Sequence, residues 1–283
     1  MAKTVEIYKL LTAHGLFETP EQITPYALAG QLICDGTVIK SPHERVAPPC
    51  AVRIRDYYKK YVSRGGVKLE YALKTFGVDP AGRTALDCGA STGGFTDCLL
   101  RHGAQCIYAV EAGRGQLDGR LANDPRVADL HSTNLSDISA EKLHPPISLA
   151  TLDIGYLSLT DALPIAQRLF IVDDYDIVAL LKPIYETANM EKRRTGAALD
   201  EAETRAVIRT VCECIECLGL VTAGFTHSPI RGGNGLIEYF VHIKPSGACG
   251  NLAAQIDMAI AAGAETPERL DLDYTGVLSW LFM

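Results

Sequence analysis

The chain has 283 residues, enough for one large domain and a small one, and its 47% hydrophobic and 22% charged content excludes a disordered or fibrous chain. No apolar run reaches the ~20 residues of a membrane span, and MAKTVEIYKL lacks a leader's apolar stretch, so a cytoplasmic protein without a membrane partner is expected. The formal charge of −7 excludes a surface that binds nucleic acid everywhere, and nine cysteines without a regular framework are expected as reduced thiols.

Residues 1–58 are expected to form a small αβ domain. TPEQITPYALAG reads as a helix ending at Gly30, QLICDGTVIKS as a hairpin about Asp35-Gly36, and CAVRIR as a further strand. A basic stripe follows: Arg53, Arg55, Lys59, Lys60, Arg64 and Lys68 stand against the single acid Asp56, interleaved with Tyr57, Tyr58 and Tyr61. Such a stripe suits phosphate contacts with base stacking, or equally a solvated linker.

Over residues 59–245 strands alternate with helices. TALDC (84–88), CIYAVEA (106–112), VADLH (127–131), SLATLD (148–153) and DIVALLK (176–182) are apolar β-forming runs, with helices at 93–102 and 203–218 among the separators. Near-continuous apolar strands with helical crossovers predict a buried parallel sheet. GLVTAGFTHS and LIEYFVHI lie too close together for a crossover, so they predict a hairpin that turns the last strand antiparallel. That arrangement is a Rossmann-like methyltransferase sheet rather than a dehydrogenase one. Residues 246–283 are expected as an extension docked on the body, with NLAAQIDMAIAAGA helical and VLSWLFM apolar.

The stretch LDCGASTGGFTDCLL passes from a strand through a glycine turn into a helix. Phe95 stands where a nucleoside-triphosphate loop needs Lys, and Ser91 replaces the second glycine of the dinucleotide fingerprint. Gly89, Ser91, Thr92, Gly93 and Gly94 therefore frame a turn whose helix start suits a carboxylate, with Asp87 placed to accept from an ammonium group. Glu111, closing the next strand, is placed to accept from ribose hydroxyls. Together these fit S-adenosylmethionine.

Several stretches resemble the TlyA (hemolysin A) family of FtsJ-type methyltransferases: VSRGGVKLEYAL, LDCGASTGGFTDCLL, VEAGRGQL, DPRV, LDIGYLSL, LLKPIYE and SPIRGGNGLIEYF, covering about residues 60–243 in order. KLLTAHGLFETPEQITPYALAGQLICDGTVIKSPHERV resembles, more loosely, the S-four-like RNA-binding module that precedes that domain. The resemblance implies ribose 2′-O methylation of ribosomal RNA by a Lys-Asp-Lys-Glu set, here Lys68, Asp153, Lys182 and Glu238. It carries the cofactor positions onto Gly93-Gly94-Phe95 and Glu111, with Asn134 and Asp153 beside the donor. Chemically, a poorly acidic sugar hydroxyl needs positioning and a cation at its oxygen. Lys182 is read equally as base or as electrostatic stabiliser.

Departures from the family pattern stand at Gly155-Tyr156, usually Ser-Phe, and at Ile184-Tyr185, usually Gln-Phe. The small domain has ETPEQ for the usual Ser-Arg start of its contact helix, and residues 1–60 hold eight Lys and Arg against six acids. A small-molecule acceptor is therefore the alternative to RNA. A cytolysin and a non-enzymatic RNA-binding protein are weighed and set aside. Lys192, Arg193 and Arg194 in a charged loop, and Arg231, are candidate acceptor contacts. CECIEC sits on a helical stripe of Val207, Val211 and Ile215 and reads as packing thiols; no metal site is assigned.

Overall fold

The computed structural model describes residues 4–14, 17, 19–55, 61–232, 235–248, 250–267 and the backbone of 272–273. The chain divides into two compact units, residues 1–59 with 269–283, and residues 60–268. Each is taken by itself.

The smaller unit is assembled from short pieces: β1 (Val5–Glu6), α1 (Ile7–Ala13), α2 (Pro20–Leu28), β2 (Leu32–Cys34), β3 (Thr37–Val38), β4 (Arg45–Val46) and β5 (Val52–Ile54). Pro20 opens α2 at a position where no N–H is needed, which sets the start of the helix. The β2–β3 hairpin turns on Asp35 and Gly36, with φ of 46° and 78°, the two positive values that an Asp-Gly turn supplies. Strands β2 and β5 alternate in burial, and Ile7, Leu10, Leu11, Ile23, Leu32, Val52 and Ile54 form the core.

The larger unit runs α3 (Arg64–Phe76), β6 (Thr84–Cys88), α4 (Gly94–Arg101), β7 (Cys106–Glu111), α5 (Gly119–Ala122), β8 (Val127–His131), β9 (Leu149–Leu152), α6 (Leu159–Gln167), β10 (Asp176–Leu181), α7 (Pro183–Glu186), α8 (Met190–Thr195), α9 (Glu201–Cys217), β11 (Val221–His227), β12 (Tyr239–Lys244) and α10 (Leu252–Glu265). Its seven strands lie in the order β11-β12-β10-β9-β6-β7-β8. The β6–β10 strand pairs are parallel, and β12 alone runs against its neighbours, slotted between β10 and β11. Alternate residues of each strand feed two cores: Ala85, Ile107, Leu149, Val178 and Phe240 meet α3 and α4, while Leu86, Tyr108, Ala150, Ile177 and Val241 meet α6 and α9. Burial on both faces is why the strands read as continuous apolar runs.

Two expectations need correction. Residues 246–283 are not one extension: α10 packs along β11, whereas β13 (Leu272–Asp273) pairs antiparallel with β5 of the smaller unit. The segment VLSWLFM lies outside the described residues. The charged stretch 191–203 is largely helical, with α8 closed by Gly196 and α9 opened by a capping box of Asp200 and Glu203.

Candidate active site

Register brings the chemistry to one edge of the sheet. Cys88 pairs with Leu152, Leu152 with Ala179, and Leu181 with Tyr239, so the residues leaving β6, β9 and β10 and the residue entering β12 are neighbours. Gly89, Asp153, Lys182 and Glu238 occupy those positions. Lys68, one turn into α3, is the fourth charged member of the group. Lys182 Nζ pairs with Asp153, and Lys68 Nζ donates to Glu238. Both lysines are largely withdrawn from water, with side chains 18% and 9% exposed. The structure thus brings together all four residues of the expected set.

Burial is the largest influence on Lys182 and pulls its pKa down. The charge and hydrogen bond of Asp153 outweigh it, aided by Glu238 and Tyr185, and the pKa is raised above the ordinary lysine value. Lys182 is therefore an ammonium ion at neutral pH. Its Nζ lies 5.8 Å from the centre of the Tyr185 ring. Beside it is a cavity of about 260 Å³ lined by Lys182, Pro183, Ile184, Tyr185, Leu236 and Glu238, among others.

The glycine turn lies next along the same edge. The N–H groups of Gly89 and Ala90 donate to Val110 O at 2.9 and 3.0 Å, and Asp153 N donates to Cys88 O at 2.9 Å. Gly89 has φ of 83°, and a Cβ there would overlap the carbonyl oxygen of Asp153, so only glycine allows the turn to sit this close. No side chain caps α4, whose N-cap is Gly93. In its first turn the Thr96 N–H is engaged by the Asp87 carboxylate, so a ligand carboxylate would have to meet the N–H groups that precede it. The Glu111 carboxylate accepts from Ser91 N at 2.9 Å and Gly113 N at 2.7 Å, joining the glycine turn to the loop after β7. Ser91, Thr92 and Asn134 are exposed, and Leu135 N lies 3.5 Å from the half-exposed Tyr156 hydroxyl.

A turn without a phosphate-binding lysine, an uncapped helix start and an acid across from it form a donor and acceptor set suited to an amino acid joined to a nucleoside. S-adenosylmethionine fits it. The helix start would hold its carboxylate, Glu111 its ribose, and the Asn134 region its adenine.

Three sequence assignments change. Asp87 does not face a ligand: it is fully buried and accepts from Thr96 Oγ1 at 2.6 Å and Thr151 Oγ1 at 2.9 Å. Burial pushes its carboxyl up to about 6 against those hydrogen bonds. It is a positioning residue, fastening the end of β6 to α4 and β9. Phe95 likewise turns inward, stacking on Phe240 with centroids 6.2 Å apart, so only its backbone N–H is placed to serve a ligand. In the basic stripe, Tyr61 is buried, with Arg101 6.0 Å from its ring centre, and Lys68 is committed to Glu238. Neither meets solvent as a phosphate or base contact. Residues 56–60 of the stripe lie outside the described residues.

Among the outlying candidates, Arg231 is held by the carbonyls of Thr266, Gly235 and Ala264, and Lys192 pairs with Glu203. Arg193 and Arg194 are exposed on α8. Sequence reasoning missed Ser63 and Gly65-Gly66, which seat the start of α3 against Gly94. It also missed Glu186, whose carboxylate accepts from Leu159 N at the start of α6. The paired glycines of SRGG and TGGF were the available signal for a close helix approach.

The fold and this edge define a Rossmann-like methyltransferase that uses S-adenosylmethionine. Residues 61–244 match the family model of FtsJ-like methyltransferases, and the chain belongs to that family. It is similar to the 16S/23S rRNA (cytidine-2'-O)-methyltransferase TlyA of Mycobacterium tuberculosis, 34% identical over 249 residues that cover 86% of this chain and 91% of that protein. It is also 34% identical to Hemolysin A of Brachyspira hyodysenteriae, over 81% of this chain and 95% of that protein. A solved structure from Streptococcus thermophilus that carries the hemolysin name superposes with a TM-score of 0.71 at 30% identity, covering 94% of this chain and 98% of that one. No helix among the described residues is long and apolar enough to cross a membrane.

Proposed function

We propose that the protein methylates a ribose 2′-hydroxyl of ribosomal RNA, with Lys182 and Asp153 at the reacting oxygen and Lys68 and Glu238 as a second, supporting pair. The observation that carries this reading is the meeting of the two ion pairs beside an uncapped helix start. The similarity to a named rRNA (cytidine-2'-O)-methyltransferase supports the acceptor class.

S-adenosylmethionine, when bound, supplies an electrophilic methyl group. The residues of the chain have to place the hydroxyl in line and favour its loss of a proton. Lys182, kept protonated by Asp153, donates a hydrogen bond to the acceptor oxygen and stabilises the negative charge that grows there. Its raised pKa favours electrostatic stabilisation over proton abstraction. Asp153 holds that ammonium group in place and is itself kept from drifting by the Lys182 charge. Glu238 neutralises Lys68 and fixes the start of α3 next to the edge. Tyr185 and Ile184, which replace the usual Phe and Gln of the family, wall the acceptor cavity. The smaller unit is read as the S-four-like RNA-binding module, its exposed Arg55 offering a phosphate contact.

The test is transfer of labelled methyl from S-adenosylmethionine to purified ribosomal subunits, followed by alkaline hydrolysis of the RNA. A 2′-O-methyl group leaves one linkage resistant, and the label is expected in that dinucleotide. Label confined to a small-molecule fraction of a cell extract overturns the RNA assignment in favour of a small-molecule acceptor.

A further inference from the structure

The smaller unit holds a side-chain cluster with no part in methyl transfer. Cys34 ends β2 and pairs in register with Val52 of β5. Cys50, two residues before Val52, falls on the same face of the antiparallel pair. Asp35 follows Cys34 into the turn and bends back, its Oδ1 accepting from Ala51 N at 2.8 Å while Asp35 N donates to Ala51 O at 2.9 Å. One ligand atom from each of Cys34, Asp35 and Cys50 lies within 4.8 Å of the other two. The thiols are 5% and 6% exposed, and Asp35 is exposed. The cluster is thus closed on the protein side and open toward water.

We propose that Cys34, Asp35 and Cys50 form a zinc site, with water in the fourth position. Two sulfurs and one carboxylate oxygen exclude calcium and magnesium, which take oxygen ligands, and match the borderline-soft zinc ion. Zinc holds sulfur at about 2.3 Å and carboxylate oxygen at about 2.0–2.2 Å, so two sulfurs on one tetrahedral ion stand about 3.8 Å apart. Closing the observed cluster onto the ion asks for a movement on the order of 1 Å, within reach of side-chain rotation. On binding, each thiol releases its proton to solvent and becomes a thiolate ligand.

The site has a structural purpose. Strands of two and three residues around a small core make a unit of the size that metals or cross-links commonly support. An ion here clips the β2–β3 hairpin to β5 at the end away from the β5–β13 contact. The proposal does not depend on the acceptor assigned above.

The experiment uses the reduced full-length protein, stripped by chelator and titrated with Co²⁺ and then Zn²⁺. One equivalent of Co²⁺ is expected to produce thiolate-to-cobalt charge-transfer absorption with the visible bands of a tetrahedral ion, and Zn²⁺ to abolish both. Cys34→Ser and Cys50→Ser each remove the charge-transfer band, whereas Cys214→Ser and Cys217→Ser leave it unchanged. Asp35→Asn, on an exposed side chain, weakens Co²⁺ binding by about tenfold, 1.4 kcal/mol, with the circular dichroism spectrum intact. Absence of the band in the parent protein, its survival in Cys34→Ser or Cys50→Ser, or its loss in Cys214→Ser or Cys217→Ser overturns the site. Mass spectrometry that finds Cys34 and Cys50 joined as a disulfide in metal-free protein purified under reductant overturns it equally. Unchanged affinity in Asp35→Asn removes Asp35 from the ligand set.

Discussion

The same four strands carry charged or polar groups at both ends, and the two ends behave differently. At one end, Arg83 and Ser148 precede β6 and β9 and Asp176 opens β10, while His242 and Lys244 lie at the end of β12. Asp176 meets Arg83 at 2.6 Å, His242 at 2.7 Å and Lys244 at 3.7 Å, and Arg83 also donates to Ser148. At the other end stand Asp153, Lys182 and Glu238, each with one main partner. At the first end one carboxylate is shared among three basic side chains. The second keeps hydrogen-bonding capacity on Lys182 and an open cavity beside it. Paired charge alone does not mark a site; spare capacity beside space does.

If that contrast holds, removing a charge at the open end costs rate, and removing one at the first end costs stability. The largest effect is expected from Lys182→Ala, which takes away the cation at the growing oxyanion and lowers single-turnover methyl transfer on the order of 10³-fold. S-adenosylmethionine affinity, measured by calorimetry, changes by less than about threefold, under 0.7 kcal/mol, since no residue of the glycine turn is touched. Near-normal transfer by this variant breaks the assignment of the edge.

Asp176→Ala is the counterpart at the first end. It leaves Arg83 partly buried without its carboxylate, and a loss of about 3 kcal/mol is expected in denaturant unfolding, with transfer intact in the folded fraction. Burial is the largest influence on Asp176 and would raise its pKa, but the hydrogen bonds from His242 and Arg83 prevail and hold it at about 2, below the ordinary 3.8. A folded pKa below the unfolded one means stability that is present above pH 3.8 and lost as pH falls through 2. Asp87 acts oppositely: with a folded pKa of about 6 against 3.8, its contribution is present below 3.8 and lost as pH rises through 6. Acid unfolding of Asp176→Ala should therefore lose its steepest part below pH 3.8, a change that a urea series at stepped pH reads directly.

What the sequence displayed was composition along strands and motif order. Strands 84–88 and 127–131 were legible to the residue because each is a compact β-forming run, and the Asp35-Gly36 turn because few other pairs fit two positive φ values. The four edge residues were legible through the motifs around them. Side-chain direction was not. Asp87 looked like a ligand contact, yet its partners Thr96 and Thr151 are nine and 64 residues away in the chain. Tyr61 looked like a stacking platform among cations, but the bare Gly66 gives its ring a buried place. Arg231 looked free until the end of α10 supplied carbonyls for it. For Asp87 and Arg231 the deciding partners lie far along the chain, and for Tyr61 the nearby glycine decides only once the helix packs.

A smaller effect is expected where the open end is braced. A Cβ on Gly94 would overlap Ser63 Oγ and lie 3.0 Å from Gly66 N and 3.1 Å from Gly65 Cα. Ser63 can rotate, but the backbone of α3 cannot give way without moving Lys68. Gly94→Ala should cost about 2 kcal/mol of stability through overpacking. It should also lower transfer more than it lowers S-adenosylmethionine affinity. A stable variant with normal transfer would show that α3 tolerates displacement and that Lys68 need not be fixed.

The smallest effect tests the boundary between binding and chemistry within the open end. Glu111 ends β7, separated from β10 by two strands of the sheet, and its carboxylate joins Ser91 N and Gly113 N in the loops proposed to hold the methyl donor. Glu111→Ala removes a charged acceptor worth about 1.5 kcal/mol, so S-adenosylmethionine affinity should fall about tenfold. At saturating donor the transfer rate should recover to within about twofold, 0.4 kcal/mol, because Lys182, Asp153, Lys68 and Glu238 are untouched. Glu111→Gln separates the two duties of the side chain: it keeps one acceptor oxygen for the backbone N–H groups but loses the charge. Affinity in Glu111→Gln close to that of the parent would assign the residue to holding the loops together, whereas affinity close to that of Glu111→Ala assigns it to the ribose. Either way the loss should appear in KM for the donor. A fall in kcat instead would mean that the glycine turn and the ion pairs are one coupled unit rather than two adjacent ones.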